Sequence, residues 1–218
     1  MDGTGKLFKP LLEIIPDNIA YEVFPLSSLV ADNPKQQAKE IVTRLGVGEF
    51  VIFAESYSGI IAYELSKIPD INIKHILFAA SFLSRPSQIS RLGPYAPLFM
   101  LRKNLITKNI LSRLFFGHSG HIDLVKLFLG TLDSITDATL KKRLRRISKL
   151  TLPATSIEVP CTYLQATKDK LVSKKAVLDF KKICVNLTIK QIKGGHFIAQ
   201  SNPLECWDAI KEVITLYK

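Results

Sequence analysis

Residues 51–60 read VIFAESYSGI, an apolar run that reaches Ser56 and then resumes in residues suited to a helix. A short apolar run of this kind is a buried strand, and SGIIAYELSKI (58–68) keeps helical spacing until Pro69 stops it. A strand that turns sharply into a helix presents the residue at the turn. Whether Ser56 is a nucleophile depends on what the rest of the chain can bring to it.

Outward from this stretch, strand-like and helical segments alternate, the pattern of a mostly parallel sheet with helices on both faces. Before it come a helix in LFKPLLEII (7–15), a short strand in YEVFPL (21–26), and a helix through PKQQAKEIVTRLG capped by Asp32 or Asn33 and ended by Gly46. After it come a strand in IKHILFAA (73–80), then strands in PCTYLQA (160–166) and LTIKQI (187–192). The helices SKKAVLDFKKI (173–183) and PLECWDAIKEVITLY (203–217) follow those last two strands.

The rhythm breaks over 82–155, where Leu, Phe, Lys and Arg dominate and helical spacing replaces strands. In ATLKKRLRRISKL, Leu140, Leu144 and Ile147 line one face and basic residues cover the rest. Thirteen Lys and Arg stand against three Asp in this segment, so it holds nearly all of the chain's net charge of +11. The segment is expected to be a helical insertion, with residues 1–81 and 156–218 forming one α/β core.

At 218 residues, 47% hydrophobic and 22% charged, the chain can bury a full-sized core. The longest apolar stretch, ILFAASFL (76–83), is bounded by His75 and Arg85 and is too short to span a bilayer. The start, MDGTGKLFKP, has no basic region followed by a long apolar core, so no signal peptide is evident. Three cysteines, Cys161, Cys184 and Cys206, make no disulfide framework and fit a reducing cytoplasm as buried small hydrophobes. The basic surplus lacks interleaved aromatics or a groove-reading motif, which argues against nucleic acid.

In open α/β sheets, functional groups gather beyond the carboxyl ends of the strands. Ser56, Asp169 and His196 each follow a strand, in that order along the chain. A serine hydroxyl needs an adjacent base, and the base needs a carboxylate to fix its tautomer and stabilise its charged form. These three residues supply those roles, and the backbone N–H of Tyr57 would point at a developing oxyanion. Each has a plainer alternative: a helix cap for Ser56, a turn residue for Asp169, a loop histidine for His196. The loop after 73–80 cannot provide the acid, because no carboxylate occurs between Lys74 and Asp123. His75 opens a buried strand and reads as structural; His118 and His121 could share a metal on a helix, but Gly120 disfavours helix there and no further ligands complete a site. No metal and no cofactor are expected.

AESYSG, ATKDKLV and GGHFIAQSNP resemble the nucleophile elbow, the acid loop and the histidine loop of the α/β-hydrolase family. The resemblance extends from DGTG (2–5), similar to the PGxDGTG segment of bacterial members, to the last helix. In the elbow pattern G-x-S-x-G, Ala54 and Ser58 replace both glycines, and small size is what those positions require. The resemblance implies a strand ahead of DGTG in mid-sheet and a second oxyanion N–H from that turn. With Met1 at the x of that segment, the chain reads as an N-terminally shortened hydrolase, whose second donor would be Asp2 or the amine of Met1.

The expected activity is cleavage of a carboxylic ester or thioester through an acyl-enzyme on Ser56, with His196 as base and acid and Asp169 as orienting carboxylate. The insertion resembles a lid over the pocket, its Leu and Phe suited to an acyl chain, and its basic face suited to an anionic membrane or a phosphate-bearing acyl carrier. The alternative is an inactive hydrolase-fold protein that binds a ligand or partner through this basic cap.

Overall fold

The computed structural model describes residues 3–88, 90 and 107–217. Its centre is a four-stranded parallel sheet in the order β1 (Glu49–Glu55), β2 (Asn72–Ala79), β3 (Cys161–Ala166) and β4 (Leu187–Ile192). Each strand begins and ends within a residue or two of the expected position. β1 is buried at its carboxyl end, at Ala54 and Glu55, and β2 from His75 to Ala79.

Alternation along the strands sends side chains to two helix layers. Ile76, Phe78, Cys161 and Tyr163 face α2 (Pro34–Arg44), α3 (Ser58–Leu65) and α7 (Lys175–Ile183). Leu77, Ala79, Leu164 and Ile192 face α1 (Lys9–Leu12), α8 (Ile198–Ser201) and α9 (Pro203–Thr215). α2 starts where Asn33 Oδ1 accepts the Gln36 amide at 3.0 Å, so Asn33 is the cap and not Asp32; its end at Arg44 precedes Gly46. The helix expected over 7–15 is shorter, a 3₁₀ turn at Lys6–Phe8 leading into α1.

Between β2 and β3 the described residues form α4 (Lys108–Phe115), α5 (Ile122–Leu132) and α6 (Asp137–Ser148). Leu111, Phe115, Phe128 and Leu140 make a third cluster that also takes in Leu7 and Phe197 of the core. On α6, Leu140 and Ile147 are buried as the spacing predicted, and Arg143 is buried with them. Part of the insertion, 91–106, lies outside the described residues.

The strand expected at 21–26 does not form: residues 20–25 carry no regular structure. A strand exists only through ladder bonds to a neighbour, and among the described residues none pairs with this stretch. β1 is the edge of the sheet, and a largely apolar cavity of about 780 Å³ lies between it and Tyr21–Phe24, walled further by Phe8, Leu11 and Trp207. Among the described residues the sheet therefore lacks the strands that the resemblance implies beyond this edge.

Candidate active site

β1 ends in Glu55, and the chain turns at Ser56 with φ 57°, in the left-handed region that a residue with a Cβ occupies at a cost of roughly 1–3 kcal/mol. Hydrogen bonds on both sides hold it there: the Ser56 amide donates to Ala79 O at 2.9 Å, and Ser56 O accepts from the Gly59 amide at 3.1 Å. Tyr57 then opens α3. The small-residue requirement falls one place later than in the motif. Ser58 tolerates its side chain by donating to Glu55 O at 2.7 Å, whereas a Cβ on Gly59 would sit 2.7 Å from Ser81 Cβ. Gly59 is the position where α3 needs glycine, and Ala54 fits with its carbonyl taken by Ser81 Oγ at 2.8 Å.

His196 and Asp169 reach this turn from the carboxyl ends of β4 and β3. Ser56 Oγ lies 2.7 Å from His196 Nε2, and His196 Nδ1 lies 2.9 Å from Asp169 Oδ2. Asp169 Oδ1 accepts the amides of Leu171 and Val172 at 2.8 and 2.9 Å. A carboxylate can only accept here, so Nδ1 carries the proton and Nε2 is left to accept from Ser56. Burial pushes Asp169 upward, but His196 and the two amides outweigh it and hold the carboxyl below its usual range. Ser56 and His196 are both buried. The structure thus brings all three sequence-predicted side chains into one hydrogen-bonded row.

The histidine loop is clamped by the insertion. Phe115 O and Phe116 O at the end of α4 accept the amides of Phe197 and Gly195, both at 3.0 Å, one on each side of His196. A Cβ on Gly195 would run into the Gly117 nitrogen and lie 2.6 Å from the Phe116 carbonyl carbon, so the glycine before His196 is required by this close backbone approach. Phe197 completes the join by packing against Phe115, Phe116 and Phe128.

Sequence reasoning missed two supports. Glu55 is a buried carboxylate beside Ser56, and its oxygens take the Ala199 amide at 3.0 Å and Gln200 Nε2 at 2.8 Å, tying the elbow to α8 behind His196. Burial pushes its carboxyl up, against the opposing pull of Gln200, Ala199 and His196. An acidic residue inside the apolar run VIFAE was the available signal; nothing in the sequence placed Gln200 against it. The second support is Arg146 of α6, whose Nη1 donates to the Tyr57 hydroxyl at 2.9 Å and to Asp32 O at 2.6 Å. Lys142 also pairs with Asp32, so part of the expected basic face is spent on the core, while Lys141, Arg145 and Lys149 remain exposed.

Of the expected oxyanion donors, Tyr57 stands at the first turn of α3, and Met1 and Asp2 lie outside the described residues. The next residue, Gly3, has φ 69° and its carbonyl accepts the Ser27 amide at 3.1 Å. His75 is structural as expected, buried with Nε2 2.9 Å from Thr162 Oγ1. The three cysteines are free and buried, and no helix among the described residues is long and apolar enough to cross a membrane.

No protein-family model matches the chain, and no curated protein matches it. Solved structures do. A hydrolase from Oleispira antarctica superposes with a TM-score of 0.73 at 18% identity, over 98% of this chain and 88% of that one. A malate-bound thermophilic esterase from Thermogutta terrifontis gives 0.72 at 14%, over 97% and 85%. An alpha/beta hydrolase fold protein from Chitinophaga pinensis gives 0.60 at 20%, over 84% and 72%. At such identities the likeness is one of fold, and the fold of this chain is that of the α/β hydrolases.

Proposed function

We propose that the protein is a serine hydrolase of carboxylic esters or thioesters, with Ser56 as nucleophile, His196 as general base and acid, and Asp169 as the orienting carboxylate. The observation that carries this reading is the row Ser56–His196–Asp169, 2.7 and 2.9 Å per step, with the serine on a left-handed turn at the carboxyl end of β1. Ser56 Oγ attacks the acyl carbon while His196 Nε2 takes its proton, and Asp169 stabilises the imidazolium. The Tyr57 amide, held through its hydroxyl by Arg146, receives the oxyanion. His196 then protonates the leaving alcohol or thiol. Water, deprotonated by the same nitrogen, cleaves the acyl-serine and releases the acid.

Residues 82–155 act in this reading as a cap whose α4–α6 side chains supply the acyl-facing apolar surface. Its exposed Lys141, Arg145 and Lys149 are the part left to meet an anionic membrane or a phosphate-bearing acyl carrier. A fluorophosphonate probe should label the folded chain and fail to label Ser56→Ala; equal labelling of both removes the assignment. The open outer side of β1, next to the Gly3 turn, favours a second reading, an inactive hydrolase-fold protein that binds through its cap. Folded chain that neither labels nor turns over p-nitrophenyl esters would support it.

A further inference from the structure

His118 and His121 lie in the turn GHSGHID, and the sequence spacing counts as a metal pair only on a helix. The structure joins them without one. Ser112, buried in α4, donates through Oγ to His118 O at 2.7 Å and accepts the His121 amide at 3.1 Å, which draws the two ends of the turn together. Gly120 between them takes φ 113°, which a residue with a Cβ rarely adopts. As a result the two Nε2 atoms converge to 3.0 Å and the ring centroids to 4.3 Å, on the surface of the insertion.

The protonation pattern of His118 is that of a prepared ligand. His118 Nδ1 is 2.9 Å from Ser119 O. A carbonyl only accepts, so Nδ1 carries the hydrogen and Nε2 keeps its lone pair, the arrangement that orients metal-binding imidazoles elsewhere. His121 Nε2 is then the donor of the pair.

We propose that His118 and His121 chelate a divalent transition-metal ion through their Nε2 atoms, with water completing its shell. Metal–nitrogen bonds of about 2.0–2.1 Å across a 3.0 Å gap subtend an angle of roughly 90–100° at the metal. Tetrahedral zinc would need the nitrogens to part to about 3.4 Å. A near-right angle belongs to tetragonal Cu(II) or Ni(II), and Cu(II) also stands at the top of the affinity order for nitrogen sites. On binding, both Nε2 lone pairs are donated and His121 carries its proton on Nδ1 instead, exchanged through water, so two neutral rings bind without net proton release. Asp123, two residues on, is engaged by Lys126 at 2.8 Å, and among the described residues no third His, Cys, Asp or Glu joins the pair. The site is therefore open and exchangeable, unlike a closed structural zinc site. It is also continuous with the clamp on the histidine loop, since Phe116 and Gly117 immediately before it hold and abut Gly195.

Titrating the full chain with Cu(II) at neutral pH, followed by electron paramagnetic resonance, tests this directly. The expected result is one tetragonal Cu(II) per chain with two histidine nitrogens. His118→Gln and His121→Gln, both near the surface and checked for folding by circular dichroism, should each weaken binding about tenfold or more. Unchanged Cu(II) affinity in the double variant overturns the proposal. So does a wild-type spectrum without two histidine nitrogens, which needs no variant, or Zn(II) binding more tightly than both Cu(II) and Ni(II).

Discussion

β1 meets two different environments along its sides. On one, it pairs with β2 from Glu49↔Asn72 to Glu55↔Ala79, and β2 leads on through β3 to β4. On the other, Val51 to Ala54 face the 780 Å³ cavity and an irregular Tyr21–Phe24. Besides the Gly59 amide of α3, the groups that orient Ser56 come from the first side or from the carboxyl ends of the strands: Ala79 O, His196, Asp169, and the Glu55 link to α8. The comparison teaches that the hydrogen-bonded row can be well determined while the neighbouring flank is loosely packed. Precision in this fold follows the ladder bonds and does not require a uniformly filled core.

The largest expected effect sits on the ordered side. Ser56→Ala should lower p-nitrophenyl ester turnover by about 10⁶-fold, and Asp169→Asn by about 10⁴-fold, with thermal unfolding still cooperative. Retained turnover in Ser56→Ala would show that the ordered row is not where the chemistry occurs. Next, Leu164→Ala, fully buried between β2 and β4, should cost about 2–5 kcal/mol in urea unfolding, while Phe50→Ala on the cavity side should cost less than about 1 kcal/mol. Equal losses would erase the contrast between the flanks.

Smaller effects sharpen it. Glu55→Ala strands the Ala199 amide and Gln200 side chain, each worth about 1–3 kcal/mol when buried and unpaired. Glu55→Gln should be far milder, because Gln200 Oε1 lacks a partner and a turned Gln200 amide can accept from the new side chain. The raised Glu55 carboxyl means that the native state holds its proton above about pH 4.3, where the unfolded chain has lost it. Stability from this group is present below that pH and is lost as pH rises through the folded value. Glu55→Gln should therefore gain on wild type as pH rises, measured by urea midpoints across the range.

Asp169 has the opposite sign. Its lowered carboxyl contributes above about pH 3.9, and the contribution is lost as pH falls through the folded value. Asp169→Asn should be less stable than wild type near neutrality and match it in strong acid; a constant gap across pH would remove the charge on Asp169 as the cause.

Much of this was legible in the chain itself. The strand-like segments at 49–54, 73–80, 160–166 and 187–192 alternate with helical ones and all form strands, and the loops after three of them carry Ser56, Asp169 and His196. Chain order and strand ends suffice for that, since in a parallel sheet every carboxyl end faces the same crevice. YEVFPL (21–26) also read as a strand, yet it is none, because a ladder is a property of two segments and its partner is absent from the described residues.

The contacts that hold the site were decided only in three dimensions. Gly59 against Ser81, Gly195 against Gly117, Glu55 against Gln200, and the carbonyls of Phe115 and Phe116 against the histidine loop join residues 22 to 145 positions apart in sequence. The sequence by itself determined which chemistry-bearing side chains exist and at which strand ends they stand, because periodicity and turn chemistry are local. Tertiary structure alone decided how tightly they are held and which flank stays open, because packing distances and hydrogen-bond partners depend on segments that no local pattern relates.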